Sequence, residues 1–471
     1  MKKILSLTLA VVLLLSLCAC GGATPKETEP PTPTLQIGFG RANITPEDSV
    51  PLLGYGTSSN RMSTEVLDDL FVSCIAFKDE TQTALLFSQD LFHSTAVLTP
   101  TLRAEISTAT QVPTNSIFLA ATATYSGPDM KSEHENTKKY IEKYRVALVE
   151  AARDAIADLA PTTMTYGTTE VEGLNFIHHY TMEDGTVEDG NYGFFDRAIT
   201  GHAAEADKTM RLVKAQREGK PAILLVNWQV RPTFNGAKDK TVVSADFVGH
   251  LRNKVEADTG MHCVYFTGAF MDISPTSRIE SEAHGLDAKG YGEKLAEYAV
   301  SALDSLQPLE GSTTMGSYTT DFTCAYNHDE EDRLEDAKKV TSQRKKLGDA
   351  GADKLAKELG FRSVWHAASI TSRPARKEKD SFELSALRFG ELGFLMSPCA
   401  MGSAIGEKIY EKCPTGFSFL LCQANAAWSD LPSDESFEYG GYEADISVWA
   451  RGSGERVGNL LNEMLFMTTD K

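Results

Sequence analysis

No two cysteines in this chain stand in a Cys-x-x-Cys pair, which excludes a zinc ribbon and a thioredoxin-like redox motif. Gly38-x-Gly40 is the only hint of a nucleotide loop, and without the rest of the glycine fingerprint it carries no such signal. No internal repeat is present. Positive charge is scarce: 46 Lys and Arg stand against 65 Asp and Glu, for a net charge of −19. A surface of that sign repels nucleic acid and anionic lipid heads, so neither is an expected electrostatic partner. The apolar stretch at residues 4–19 is too short for a spanning helix, which needs about 20 residues.

What that stretch has instead is the layout of an export signal. Lys2 and Lys3 precede it, and only Ser6, Thr8 and Ser16 interrupt it. It ends in Leu17-Cys18-Ala19-Cys20, which resembles the lipobox of bacterial lipoproteins. The resemblance implies a signal peptide over 1–19 and lipidation of Cys20. The expected location is then the outer face of the cell membrane, with the membrane as partner through Cys20. An ordinary cleaved signal with two incidental cysteines is the alternative. Residues 21–34, GGATPKETEPPTPT, contain no bulky apolar side chain and can bury nothing. With Cys20 they form a tether, and a Pro-rich stretch of that length reaches about 40 Å. Removing Lys2 and Lys3 takes the net charge from −19 to −21.

Residues 35–471 have the makings of a globular domain, since apolar residues make up 42% of the chain and charged ones 24%. Short apolar runs at 72–77, 84–88, 117–121, 222–228, 263–266, 392–397 and 417–422 read as buried strands. Helical spacing appears at 137–159 and 287–306, each stopped by a proline. Strands alternating with helices imply one large α/β domain with central sheets flanked by helices. Residues 327–358 are dense in charge and read as exposed helices of an insertion. The basic run at 373–379 reads as a solvated loop. The six cysteines after Cys20 are scattered, with Cys413 and Cys422 nearest in sequence. Six cysteines allow 15 connectivities, so no pairing follows.

Five peptides come directly after candidate strands: 121–128, 230–233, 267–275, 398–406 and 425–432. Functional loops tend to leave the carboxyl ends of sheet strands, so strands of common direction would bring these five to one rim.

The same peptides resemble motifs of the neutral/alkaline ceramidase family. IGFGRANITPEDSVPLLGYG at 37–56 is similar to the family's opening strand and turn. ATATYSGP at 121–128 aligns with ATHTHSGP, and VNWQVRPT at 226–233 with a segment of the form NFAVHPT. GAFMDISP at 268–275 resembles a GDVSP loop, and PCAMGSAIG at 398–406 aligns with PGEPFSEIG. FEYGGYE at 437–443, followed by Gly454-Glu455-Arg456, is similar to the closing region. The matches run in order from about residue 37 to 457. The resemblance implies the catalytic-domain fold of a zinc-dependent amidase that cleaves ceramide. It also leads us to expect that the family's C-terminal immunoglobulin-like domain has no counterpart here.

Carried over residue by residue, the implied zinc ligands are missing. The two histidines of the HxH motif fall on Ala123 and Tyr125, and that of the VHP segment on Arg231. The glutamate of the PGE segment falls on Ala400, and the late tyrosine on Asp430. Alanine has no donor atom, and a guanidinium repels a dication. Zinc, expected for the family, is therefore not expected at these positions, and we assign no metal or other cofactor. Arg231 and Asp430 are expected to pair in the vacated space, with Tyr125 beside them as substrate-facing groups. Ser274 falls on the family's catalytic serine. It is either a nucleophile or a turn residue that caps backbone groups; Asp272 is either its companion or an acceptor for loop amides. His178 and His179 would face opposite sides of a strand and so not share a metal. His134 reads as an exposed residue before a helix, His328 as solvated, His366 as part of a strand, and Cys399 as a packed thiol. Two functions compete, with a purely structural envelope protein as the remaining alternative. One is a non-catalytic protein binding a lipid or other small molecule in the cleft. The other is a divergent amide or ester hydrolase using Ser274 or an altered metal site.

Overall fold

A strand whose residues alternate between two apolar faces needs a core on each side. In the computed structural model, which describes residues 35–55, 61–191, 197–279, 284–311 and 313–468, the strand Phe71–Lys78 meets that condition. Its Ile75 and Phe77 enter one core, and Val72, Cys74 and Ala76 enter another.

Across the large sheet the strands run His262–Thr267, Ile223–Trp228, Thr209–Arg217, Ala160–Glu170, Gln36–Asn43, Phe71–Lys78, Thr83–Gln89 and Ile117–Ala121. The short strand Gln307–Pro308 adds against Ala160–Glu170. Only the outermost pair on each side is parallel. A second sheet runs Met315–Ala325, Lys379–Phe389, Leu392–Ser397 and Phe417–Cys422, and its last pair is parallel. The two sheets face each other across Phe77, Phe118 and Phe266 from one and Phe389, Phe394 and Phe419 from the other. Helices cover both outer faces. Glu135–Ala157, Phe247–Thr259 and Ala288–Ser301 lie on the large sheet, and Ser403–Glu411 and Ser453–Met467 on the small one. The expected α/β domain is thus a four-layer sandwich, and the seven expected strands all form.

Gly38 and Gly40 have a packing role. A Cβ on Gly38 would lie 1.9 Å from the Ala155 carbonyl oxygen, and one on Gly40 would lie 2.1 Å from that of Ala151. The helix Glu135–Ala157 therefore rests its backbone on the strand Gln36–Asn43, which only glycine permits.

The charged insertion forms the helix Leu334–Glu358, broken at Gly348, where φ is 71°. It folds with the helix Val364–Ser372 around a small core of Val340, Ala352, Phe361 and Ile370. Two expectations fail here. His366 lies in that second helix, not a strand, because its short apolar run has no period long enough to tell the two apart. Arg373 is buried, donating to the Asp329 carbonyl and to Ser369 Oγ, so only part of the basic run is solvated. The six cysteines from Cys74 onward are free thiols, and Cys399 is packed as expected. The lipobox, Cys20 and the tether lie outside the described residues.

Replacing Gly40 with alanine is expected to destabilise the domain by about 1–3 kcal/mol through overpacking. Chemical denaturation would register this as a lower midpoint with an unchanged slope.

Candidate functional site

The five loops converge. Tyr125 N donates to the Pro232 carbonyl at 3.0 Å, and Thr267 Oγ1 to that of Thr122 at 2.7 Å. Met271 N donates to Met401 O at 3.1 Å, and Leu431 N to Ala400 O at 2.8 Å. Each bond joins two different loops, so the rim is a single interlocked surface. It is also strained: Ala123, Gln423 and Asn425 have φ of 63°, 59° and 64°. Non-glycine residues in that region cost about 1–2 kcal/mol each and gather where the surrounding structure holds them for function.

Ala123 and Ala400, at two of the positions aligned with metal ligands, are buried in an apolar cluster with Phe270, Met271, Cys399 and Met401. Tyr125, Arg231 and Asp430 are half-buried around them. Arg231 Nη1 donates to Tyr125 Oη at 3.0 Å. The expected contact pair between Arg231 and Asp430 does not form among the described residues. Asp430 acts on Arg231 only at longer range, alongside Glu443. Burial works against the Arg231 charge, but Tyr125, Glu443 and Asp430 together hold it protonated. These positions offer a divalent cation a phenol, a carboxyl, two methyl groups and a guanidinium. They do not fit a zinc ion.

Ser274 ends the two-residue strand Ile273–Ser274 and spends its hydroxyl locally, accepting from Thr276 N at 3.1 Å. No base bonds it among the described residues. Asp272 is buried and accepts from Ser403 N and Ser403 Oγ, both at 2.8 Å, so it caps the helix Ser403–Glu411. Both residues take the turn and capping roles. His134 is the exposed N-cap of the helix Glu135–Ala157, and His328 pairs with Glu331 at 2.6 Å.

The expectation for His178 and His179 is overturned. His178 lies between the strands Phe176–Ile177 and His179–Met182, so the two residues do not alternate on one strand. Both rings turn inward to Asp189 and Glu443, and the four residues are buried with their candidate ligand atoms within 4.8 Å of one another. Asp189 ends the strand Val187–Asp189, and Glu443 lies in the short helix Tyr442–Ile446. Sequence offered no signal for this gathering beyond the adjacent histidines, because Asp189 lies 10 residues and Glu443 lies 264 residues (443 − 179) beyond His179. Burial opposes charge on His179, yet its bonds to Asp189 and Glu443 raise it well above the usual imidazole range. Burial also opposes the charge on Glu443, but the two histidines hold it well below the usual carboxylate range.

Glu443 leaves its mark on the rim. Burial, followed by the Glu443 charge, pushes the Asp430 carboxyl up to about 7, and Arg231 opposes them only in part. A groove of about 1060 Å³ lies elsewhere, lined by Pro100, Ala104, Val146 and Val149 among others. It holds none of the candidate residues, and chemistry places the site at the rim.

No protein-family pattern matches the chain, and no curated protein matches it. Solved structures do match. Neutral ceramidase from Pseudomonas aeruginosa superposes with a TM-score of 0.68 at 16% identity, covering 92% of this chain and 74% of that one. A ceramidase complexed with C2 superposes with a TM-score of 0.68 at 15% identity, covering 92% of this chain and 75% of that one. The fold is therefore that of neutral ceramidase, as the collinear motifs implied.

A carboxyl raised in the folded state favours folding when protonated, so wild-type stability is expected to fall as pH rises from about 4 to about 7. Partial exposure screens the effect, leaving about 2 kcal/mol. Asp430→Asn removes that slope: the variant should be more stable than wild type at pH 8, with the gap closing near pH 4. Denaturation midpoints across that range would check it.

Proposed function

We propose that this protein is a lipid-anchored, extracytoplasmic relative of the neutral ceramidases that has lost their zinc chemistry. In this reading it binds a lipid or other small molecule at the rim without cleaving it. The observation carrying the proposal is the donor set at the aligned positions: Ala123 and Ala400 are packed in apolar surroundings and Arg231 is bonded to Tyr125. A fold alone never guarantees the chemistry of its relatives, so the site decides. Among the described residues Tyr125 is the one hydrogen-bond acceptor for the half-buried Arg231 guanidinium, so most of its donor fork is not spent on the protein. A planar fork of that kind suits a carboxylate, and a fatty acid is the ligand class we favour. Anchoring rests on the Lys2-to-Cys20 export pattern.

One observation favours hydrolysis as the second reading, with a different serine. Ser277 Oγ lies 3.0 Å from His202 Nε2, while His202 Nδ1 contacts the Ile177 carbonyl. A serine bonded to an oriented imidazole is the start of a nucleophile and base pair.

Displacement of a fluorescent fatty acid separates the readings. Arg231→Gln should weaken carboxylate binding by about tenfold or more, as a charge-assisted hydrogen bond implies, and leave uncharged N-acyl amides unaffected. Turnover of fluorogenic N-acyl amides by the wild type, abolished in Ser277→Ala or Ser274→Ala, would establish the hydrolase instead. Cys20→Ala should release the protein from the membrane fraction, and retention there would refute the anchor.

A further inference from the structure

We propose that His178, His179, Asp189 and Glu443 form a closed, four-coordinate structural site for a divalent transition ion of the zinc class. The site lies apart from the positions aligned with the fold's zinc ligands and does not depend on the binding reading above. One ligand atom from each of the four lies within 4.8 Å of the others, close enough for small side-chain adjustments to close them on an ion. His178 Nε2 is 3.0 Å from Glu443 Oε1 and 3.9 Å from Asp189 Oδ1. His179 Nε2 is 3.2 Å from Asp189 Oδ2 and 3.3 Å from Glu443 Oε2. Ligands at about 2.0–2.1 Å from a tetrahedral zinc lie about 3.3 Å apart. Two imidazoles and two carboxylates are a set that zinc accepts, and their two negative charges match one dication.

Protons alone satisfy this cluster poorly. Glu443 is 3% exposed, yet the donor nearest its Oε2 is His179 Nε2 at 3.3 Å, a single N–H that also faces Asp189 Oδ2 at 3.2 Å. His178 Nε2 lies 3.2 Å from Asn191 Nδ2, an amide donor, as well as 3.0 Å from the Glu443 carboxylate. A proton on that nitrogen suits Glu443 but confronts the amide N–H; without it, a lone pair confronts the carboxylate. Turning Asn191 round is no remedy, because its Nδ2 also donates to Glu443 Oε1 at 2.9 Å. A cation among the four side chains resolves the conflict.

The surroundings are shaped to match. Gly441, at φ 116°, has no side chain where a Cβ would stand 2.8 Å from His179 Nε2 and 3.1 Å from Asp189 Oδ2. Outer contacts orient the ligands: Tyr439 Oη lies 3.4 Å from His179 Nδ1, and Asn191 N donates to Asp189 Oδ1 at 2.6 Å. With all four positions filled by protein, the ion would clamp the helix Tyr442–Ile446 to the segment around residues 176–191.

The test uses tag-free mature protein, stripped with chelator and titrated with cobalt(II), with zinc(II) as competitor. We expect one equivalent of cobalt with the strong visible bands of a four-coordinate ion, bleached by zinc, and a higher Tm in the loaded protein. His179→Ala and Asp189→Asn should abolish the bands, whereas His328→Ala, at a half-buried histidine outside the cluster, should leave them unchanged. Should the cluster variants not fold, X-ray absorption of the zinc-loaded wild type decides: two imidazole nitrogens and two oxygens at about 2.0–2.1 Å support the site. Absence of stoichiometric binding to wild type, a shell lacking imidazole, or bands lost in His328→Ala but kept in His179→Ala would overturn it.

Discussion

A carboxylate removed from water must find positive charge or give up its own. Much of the rim depends on how Glu443 meets that demand. Its partners are His178 and His179, brought from a segment more than 250 residues earlier in the chain, with Asp189 completing the cluster. Two residues on, Asp445 is also fully buried and is held by Arg362 Nη2 at 2.7 Å and Ser363 Oγ at 2.7 Å. The short helix Tyr442–Ile446 thus sends one acid toward the segment around residue 178 and one toward the inserted helices. It joins two parts of the molecule that share no strand.

That junction also sets the electrostatics of the cleft. The Glu443 charge discourages a second negative charge at Asp430 and supports the positive one at Arg231. The result is a half-buried guanidinium bonded to a tyrosine, beside a carboxyl that titrates near neutrality. A guanidinium and two methyl groups among these positions make them poor ligands for a divalent ion. The left-handed backbone at Ala123 persists within this arrangement although its methyl group does no chemistry.

Much of the architecture was legible beforehand because its causes are local. Runs such as 392–397 and 417–422 are apolar but for Ser397 and Ser418, as strands buried on both faces tend to be, and the structure gives them those bounds. The five loops do converge, but from strands of two sheets and not from a common direction in one: by its pairings Ile117–Ala121 runs opposite to Ile223–Trp228. Ser274 and Asp272 bond to nearby amides, as short polar side chains next to turns do. His366 was misread because a short apolar run has no period to reveal. His178 and His179 were misread because the alternation rule holds only inside a strand, and the chain leaves strand geometry between them.

By itself, the sequence determined the layered α/β plan and the rim of five loops. These depend on residue type and on spacing along the chain. Only the tertiary structure decided that Arg231 would bond Tyr125 and not Asp430, and that two histidines, an aspartate and a distant glutamate would share one buried point. Those outcomes depend on which side chains meet in space once the sheets have packed, and on the cost of leaving any charge among them without a partner.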